Sequence, residues 1–344
     1  MKIKYLLLAI AIATIAIITA TTDVAQSQTE DFQYFHQWCA AKDTISGQAK
    51  HTVEILLKRA GSQDCLQAQK NLSQMEELRL PYVDIPDLRP LATLTNLTSL
   101  ILAGNGITDL NPLSNLKSLT KLNLDSNSIK DLTPLANLTN LTELDLSRNS
   151  LEDLKPLSAL TKLSKLDLNS NQIRDLKPLS TLTNLTMLNL LGNDELESLE
   201  GLSKSTQLFS LDLDLNKIKD LTPLATLTEL IYLSLGGNQI EDLTPLAGLT
   251  NLASLRVHSN QIKDVTPLES LHQLYSLRLS HNQISDLTPL ASLPSLKYLY
   301  LDDNQVQQLP PKLNLEEFKG FCLAQNPVIE KMPQLLRWRR HRCR

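Results

Sequence analysis

Three aspartates in the middle of the sequence have the residue type and spacing of a carboxylate site. Asp145 and Asp167 are 22 residues apart, and Asp125 lies 20 residues before Asp145. If the three fall on neighbouring strands, their carboxyl groups stack about 5 Å apart, which suits an acid/base pair or a cation site. A simpler interpretation is an acidic, solvated surface. We therefore predict no metal ion and no cofactor here.

A second set of side chains combines aromatic rings, guanidiniums and imidazoles in the later part of the chain. Its members are Tyr232, Arg256, His258, Arg278, His281, Tyr298 and Tyr300. Tyr and Arg dominate binding hot spots, so we predict that this set contacts a protein partner. The alternative is a merely solvated surface. The two histidines are one position out of register and have no obvious third ligand, which argues against a metal site.

Motifs of known catalytic sites do not occur in the sequence. G-x-S-x-G, H-E-x-x-H and the P-loop are absent, and Gly104-Asn105-Gly106 lacks the rest of a dinucleotide fingerprint. Asn-Leu-Thr triplets at Asn96 and Asn140 match glycosylation acceptors, but they recur as part of a repeat. We predict that the protein is not an enzyme.

That repeat positions all of these side chains. It is marked by eleven asparagines spaced by 22 residues, with a single step of 23: Asn105, Asn127, Asn149, Asn171, Asn193, Asn216, Asn238, Asn260, Asn282, Asn304 and Asn326. Each lies within the pattern L-x-x-L-x-L-x-x-N-x-I-x-D-L-x-P-L. A degenerate copy with Val83 in place of the asparagine precedes them, which makes twelve predicted coils.

The pattern within each coil predicts its local structure. Leucines at period two, such as Leu100 and Leu102, indicate a short strand with its leucines on one face. The asparagine amide can satisfy peptide groups that are buried where the chain turns inward. Proline in D-L-x-P-L favours extended backbone or short helical turns. Only a stack of coils buries the leucines in one continuous core.

The repeat resembles the bacterial leucine-rich repeat proteins of the internalin type over about residues 72–326. The resemblance implies an α/β fold, a right-handed curved solenoid whose concave face carries a parallel β-sheet and usually binds another protein. One coil departs from the pattern, because Ser198-Leu199-Glu200-Gly201-Leu202 replaces D-L-x-P-L between Asn193 and Asn216. We expect a local irregularity in curvature there. We see neither the immunoglobulin-like module nor the cell-wall sorting sequence of internalins, so their surface attachment is not expected.

Strand alternation assigns polar side chains to the concave face in coils three to seven. They form an acidic set that we expect to steer or select a basic partner: Lys121, Asn123, Asp125, Glu143, Asp145, Lys165, Asp167, Asn169, Asp212 and Asp214.

The two ends of the chain differ from the repeat. Lys2 and Lys4, followed by the uncharged residues 5–20, predict a signal peptide over residues 1–27. We predict cleavage after residue 27, with Ala20 as a second cleavage point; the alternative is an uncleaved membrane anchor. Residues 28–71 predict a helical cap, with helices over 30–41, 48–60 and 62–72. Residues 72–326 form the solenoid, and residues 327–344 a C-terminal cap and basic tail.

Export permits disulfides between the four cysteines, for which three connectivities exist. We favour Cys39–Cys65 with Cys322–Cys343, because one pair lies at each end of the repeat. No C-x-x-C occurs, which argues against zinc.

Charge and export together define the expected function. The net charge is −4, but the last 14 residues carry six Lys or Arg and no acid, so the rest of the chain carries −10. An acidic body does not fit a nucleic-acid groove. We predict an exported recognition protein, periplasmic or secreted, that binds a protein ligand and is not inserted in a membrane once its signal is cleaved. The alternatives are an envelope protein that binds polysaccharide and a phosphatase-regulator-like binding module.

Overall fold

The computed structural model describes residues 32–331. The predicted signal peptide, Cys343 and most of the basic tail lie outside these residues. Within them, no helix is both long and apolar enough to cross a bilayer.

Three helices precede the repeats: α1 (Phe35–Ala40), α2 (Gly47–Ala60) and α3 (Cys65–Ser73). Gly61 ends α2 in the left-handed conformation, with φ 66°, as predicted. The predicted start of the third helix at Ser62 is wrong, since Asp64 is its N-cap and accepts a hydrogen bond from Gln67 N at 2.7 Å. The first helix begins later than predicted, because residues 32–34 are not helical.

A disulfide joins two helices of the cap, and side-chain contacts join the cap to the first coil. A disulfide links Cys39 of α1 to Cys65 of α3, as predicted. The Trp38 side chain is buried in the same apolar core as the leucines of the coils. Thr52 donates to Asp87 O at 2.8 Å, and the His51 ring lies 3.0 Å from Val83 O. The cap therefore occupies the end of the stack, where the leucines of the first coil would otherwise be exposed.

Parallel strands form one sheet in chain order, from the first to the twelfth, within the described residues. Each strand has three residues: β1 Glu77–Arg79, β2 Ser99–Ile101, β3 Lys121–Asn123, β4 Glu143–Asp145, β5 Lys165–Asp167, β6 Met187–Asn189, β7 Ser210–Asp212, β8 Tyr232–Ser234, β9 Ser254–Arg256, β10 Ser276–Arg278, β11 Tyr298–Tyr300 and β12 Gly320–Cys322. This arrangement confirms the predicted solenoid of twelve coils. The short helix α4 (Val328–Lys331) follows the last strand.

The middle residue of every strand is buried, and it is leucine in β1–β11 and Phe321 in β12. The aspartate of the D-L-x-P-L segment caps a short 3-10 turn on the opposite side of the coil. For example, Asp131 accepts from Thr133 N at 2.8 Å at the start of Thr133–Leu135. The short helical turns predicted from the proline are thus present.

The asparagines form a hydrogen-bonded ladder along the stack. Asn260 donates to Leu235 O of the preceding coil at 2.9 Å and to Val257 O of its own coil at 3.1 Å, while its Oδ1 accepts from Ile240 N at 3.0 Å. The residue before each ladder position has positive φ, between 52° and 67°, in all twelve described coils, and in most of them it is not glycine. This left-handed residue turns the chain inward and leaves the asparagine amide among peptide groups.

The coil between Asn193 and Asn216 is irregular. With the extra residue, the N–H that usually donates to the next asparagine, Leu196 N, bonds to Asn193 O at 2.8 Å instead. Asn216 Oδ1 is therefore buried without a hydrogen-bond partner among the described residues. Ser205 occupies a position held by leucine in the neighbouring coils, and its buried hydroxyl is also unpartnered there. Gly201 has φ 110°, and a Cβ at this position would lie 2.3 Å from Leu176 O, so no larger residue fits the turn.

The last strand closes the described core with aromatic residues. Phe318 and Phe321 pack with ring centroids 5.3 Å apart, and both are buried. Cys322 carries a disulfide. Its predicted partner, Cys343, lies outside the described residues.

Candidate binding surface

The solvent side of the sheet presents four rows of side chains that run along the solenoid. We call them the edge row (the residue before each strand), the first row and third row (the outer residues of each strand) and the exit row (two residues after each strand). Neighbouring strands pair in register, so each row places one side chain per coil beside the next. Parallel strands lie about 4.8 Å apart, which makes adjacent members of a row direct neighbours.

A groove of about 910 Å³ runs along this side from β1 to β7 and shows that the sheet is concave there. Its first row alternates in charge: Glu143 lies between Lys121 and Lys165, at 3.1 Å and 3.4 Å. Hydrogen bonds and charge attraction from the two lysines together outweigh burial and lower the pKa of Glu143. The charges of this row are therefore largely paired with one another.

The acidic face, which comprises the solvent-side residues of coils three to seven, does not stack three carboxylates as expected. Asp145 and Asp167 pair directly in the third row, but Asn123 rather than Asp125 is the neighbour of Asp145. Asp125 belongs to the exit row, where it is paired with Arg148. The predicted stack is thus wrong for Asp125, because this residue lies two positions further along its coil.

The remaining carboxylates of the acidic face are largely bonded within it. Asp145 accepts from Asn123 Nδ2 at 2.8 Å and from Ser147 N at 3.0 Å. Burial is the main cause that raises the pKa of Asp145, and it also raises the pKa of Asp212. Among the described residues, no group of three His, Cys, Asp or Glu side chains is placed to hold a metal ion.

The late face, which comprises the solvent-side residues of coils eight to eleven, carries the set predicted to bind a partner. Tyr232 and Tyr298 lie in the first row, and Arg256, Arg278 and Tyr300 lie in the third row. The Arg278 guanidinium stacks on the Tyr300 ring at 4.9 Å from its centroid. The structure thus brings most of this set onto two neighbouring rows.

The two histidines of the set are not equivalent. His258 lies in the exit row, with its ring over Gly236, where a Cβ would come within 2.1 Å of the imidazole. Its Nδ1 is buried without a partner among the described residues, and burial is the main cause that lowers its pKa. His281 is instead the left-handed residue before Asn282, with φ 58°, and its Nδ1 lies 3.0 Å from Asp303 Oδ2.

The edge row contains binding candidates that the sequence pattern missed. Along β2–β6 it holds Thr98, Thr120, Thr142, Ser164 and Thr186, whose hydroxyls each donate to the carbonyl of the preceding coil at 3.0–3.1 Å. Before β7, β8, β9 and β10 it changes to Phe209, Ile231, Ala253 and Tyr275. The change begins at the irregular coil. A loss of hydroxyl residues at a fixed position of the repeat is the signal that would have revealed it.

These edge residues extend the aromatic surface of the late face. Tyr275 packs edge-on against Tyr298 at 5.4 Å, and Lys319 Nζ lies 3.3 Å from the Tyr275 hydroxyl. The Tyr232 and Tyr275 side chains remain 54% and 41% exposed, and Ile231 is 37% exposed. Several large, largely apolar side chains are thus exposed on neighbouring coils of one side of the sheet, which is typical of interaction surfaces.

Comparison with known proteins identifies the chain. A family model described as leucine-rich repeats (two copies) matches overlapping windows that together span residues 95–204 and 206–317, so the chain belongs to the leucine-rich repeat proteins. Within that family it is of the internalin type: internalin InlF of Listeria monocytogenes is 38% identical, with a TM-score of 0.67, over 70% of this chain and 73% of that one. The fold of this family supports a non-enzymatic binding role.

More distant solved structures share the fold. The plant peptide hormone receptor RGFR1, in complex with RGF2, is 22% identical with a TM-score of 0.61, over 73% of this chain and 42% of that one. A leucine-rich repeat protein of Leptospira interrogans is 21% identical with a TM-score of 0.54, over 81% and 97% of the two chains. Among curated proteins, none matches the chain.

Proposed function

We propose that this chain is an exported, non-enzymatic recognition protein, periplasmic or secreted, which binds a protein partner through its late face. The observation that carries the proposal is the exposed aromatic surface around Tyr232 and Tyr275, beside the arginines of the third row. Tyr and Arg anchors of this kind concentrate binding energy in protein interfaces. Export is supported by the N-terminal sequence and by the disulfide Cys39–Cys65, which requires an oxidising compartment.

The acidic face has a different part in the proposal. Its carboxylates favour the approach of a basic segment of the partner and disfavour acidic ones. Because these charges, apart from the buried Asp125, are solvent-exposed or half-buried, this selection weakens as salt is added.

Affinity capture tests the proposal. The protein is immobilised and exposed to the envelope fraction and culture medium of its source bacterium, and a captured protein is identified, purified and titrated. We expect the double variant Arg278→Ala/Tyr298→Ala to reduce its affinity at least a hundredfold, because both anchors are lost. The variant Arg174→Ala/Tyr82→Ala is the matched control, since it removes the same residue types from exposed positions outside the late face.

Two results would contradict the proposal. Equal loss of affinity in both variants would mean that the late face is not the contact surface. Binding to an envelope glycan array without capture of any protein would favour the polysaccharide alternative, in which the exposed tyrosines stack on sugar rings.

A further inference from the structure

We infer that Arg256 and Arg278 together form a subsite for carboxylate groups, and that the segment it receives from a protein partner is acidic. The inference rests on the proposed function, because it assigns chemistry to one part of the late face. The acidic face of the same sheet favours a basic segment, whereas these two arginines favour an acidic one.

The two arginines are direct neighbours in the sheet. Arg256 pairs in register with Arg278, so both project from the third row about one strand spacing apart. Like charges opposite one another destabilise a sheet. The first row of the same sheet alternates in sign along β3–β5. The third row also places Asp145 beside Asp167, but each of these carboxylates accepts hydrogen bonds from amide groups. The two arginines are a like-charged pair without such compensation within the described residues.

Neither guanidinium is neutralised within the described part of the chain. Neither side chain has an ion pair or a hydrogen bond there, whereas Arg79, Arg89 and Arg148 each have a carboxylate partner. The charge of Arg256 reaches Asp212, two strands away, only through space. The donors of Arg256 and Arg278 are thus available to a ligand.

Tyr300 holds one of the two guanidiniums in place. The Arg278 guanidinium carbon lies over the ring, 4.9 Å from its centroid, and this cation–π contact restricts the side chain. The ring has no acceptor that would occupy all five N–H groups of the guanidinium, so donors remain for a bidentate carboxylate. A fixed orientation lowers the entropy lost on binding.

The surroundings favour an acidic peptide segment as the occupant. The exit-row carboxylates on either side of the arginines are already engaged, since Asp302 and Asp214 accept hydrogen bonds from backbone N–H groups at 2.7 Å and 2.5 Å. Exposed aromatic side chains at Tyr232 and Tyr275 border the arginines and offer apolar contacts for the neighbouring residues of the same segment. A segment that alternates acidic and apolar residues matches both features.

Fluorescence anisotropy with labelled hexaglutamate tests the subsite directly. All proteins carry Arg339→Gln, Arg340→Gln and Arg342→Gln, so that the basic tail does not dominate the binding of an anionic probe. In this background we expect the double variant Arg256→Gln/Arg278→Gln to bind hexaglutamate at least tenfold more weakly. The conservative double variant Arg256→Lys/Arg278→Lys should show an intermediate loss, because it keeps the charge and loses the bidentate fork.

Arg174→Gln is the matched control, since it removes one exposed arginine outside the late face. An equal loss in this control, or no loss in the Arg256→Gln/Arg278→Gln variant, would overturn the inference. Displacement of hexaglutamate by equally low concentrations of inorganic phosphate would also overturn it, since the subsite would then bind oxyanions without selecting carboxylates.

The partner identified by affinity capture separates this inference from the proposed function. If the variant Tyr232→Ala/Tyr298→Ala no longer binds the partner but Arg256→Gln/Arg278→Gln still does, the carboxylate subsite is overturned and the proposed function stands. Loss in neither variant would overturn both.

Discussion

The acidic face and the late face lie on different strands of the same repeat, with the same buried leucines and ladder asparagines. Charged side chains are nevertheless paired on the acidic face, whereas the two arginines of the late face are unpaired within the described residues. On the acidic face, Asp125, Asp145 and Glu143 are all bonded to neighbouring side chains. On the late face, Arg256 and Arg278 stand beside each other without a carboxylate partner in the described residues. The repeat therefore determines the scaffold, while the solvent-side rows of different coils carry different chemistry.

Substitution of the ladder asparagines tests whether the two faces share one scaffold. These substitutions should have the largest effect on the free energy of unfolding. Asn149→Ala and Asn260→Ala should each lower the free energy of unfolding by about 3 kcal/mol or more, because each leaves buried peptide groups without partners. Denaturant unfolding should give similar losses at the two sites. Asn216→Ala should cost about 1–3 kcal/mol less, because the Asn216 Oδ1 atom has no donor to lose. Equal losses at all three sites would contradict this interpretation of the irregular coil.

Replacing the buried serine of the irregular coil by leucine should stabilise the coil that lies between the two faces. Ser205→Leu restores the residue found at this position in neighbouring coils, where Leu182 and Leu227 are buried. We expect a gain of about 1 kcal/mol in the free energy of unfolding, from added apolar contact and the loss of an unpartnered hydroxyl. A loss of stability instead would mean that the coil has closed around the serine and is overpacked by leucine. Ser203→Leu, at an exposed position of the same coil, is the control.

The two faces should also respond to pH in opposite directions. Burial raises the pKa of Asp145, so the folded chain keeps this proton to higher pH than the unfolded chain, and the ionised carboxylate lowers stability as pH rises. Asp145→Asn should therefore raise stability near neutral pH, and the gain should disappear as pH falls through the usual carboxyl range.

His258 on the late face should show the reverse. Its pKa is lowered mainly by burial, so stability is lost as pH falls below the ordinary imidazole pKa. His258→Gln should reduce this loss. Unfolding curves from pH 4 to pH 8, about the range in which these groups titrate, measure both effects. Parallel pH profiles for the two variants would contradict the assigned burial.

Substitutions of surface charges should have the smallest effects on the free energy of unfolding. They also contrast the paired charges of the acidic face with the unpaired arginines of the late face. Lys165→Ala breaks an exposed pair with Glu143 and should lower the free energy of unfolding by no more than about 0.5 kcal/mol. Arg256→Gln should not lower it, because it relieves the repulsion from Arg278. A clear loss of stability in Arg256→Gln would show that the arginine supports the fold rather than a ligand.

The sequence predicts the scaffold well because the same slot is filled once per coil. The buried leucines, the number of strands and the cap bridge Cys39–Cys65 all follow from the period and from positions relative to it. The solvent-side rows follow less well. Tyr275 was missed because strand alternation starts one residue later, and Asp125 was placed in the wrong row by one step of that alternation.

Pairing between surface side chains is outside the reach of the repeat pattern. The pattern states which side of the sheet a residue occupies, but rotamers and neighbours decide whether Arg148 pairs with Asp125 or whether Arg278 stacks on Tyr300. His281 shows the same limit, since its position in a left-handed turn aims it at Asp303. These choices separate the bonded acidic face from the unpaired arginines.

The irregular coil also has a mechanical consequence. A solenoid transmits a pulling force from coil to coil, so it parts where one interface holds fewest bonds. The coil between Asn193 and Asn216 has an unpartnered asparagine oxygen and a serine in a leucine slot. Stretched from its ends, the protein should therefore part first between β6 and β7, into one segment with most of the groove and another with the aromatic surface. A force–extension trace would record this as the rupture at the lowest force, because forced unfolding follows the local unfolding rate.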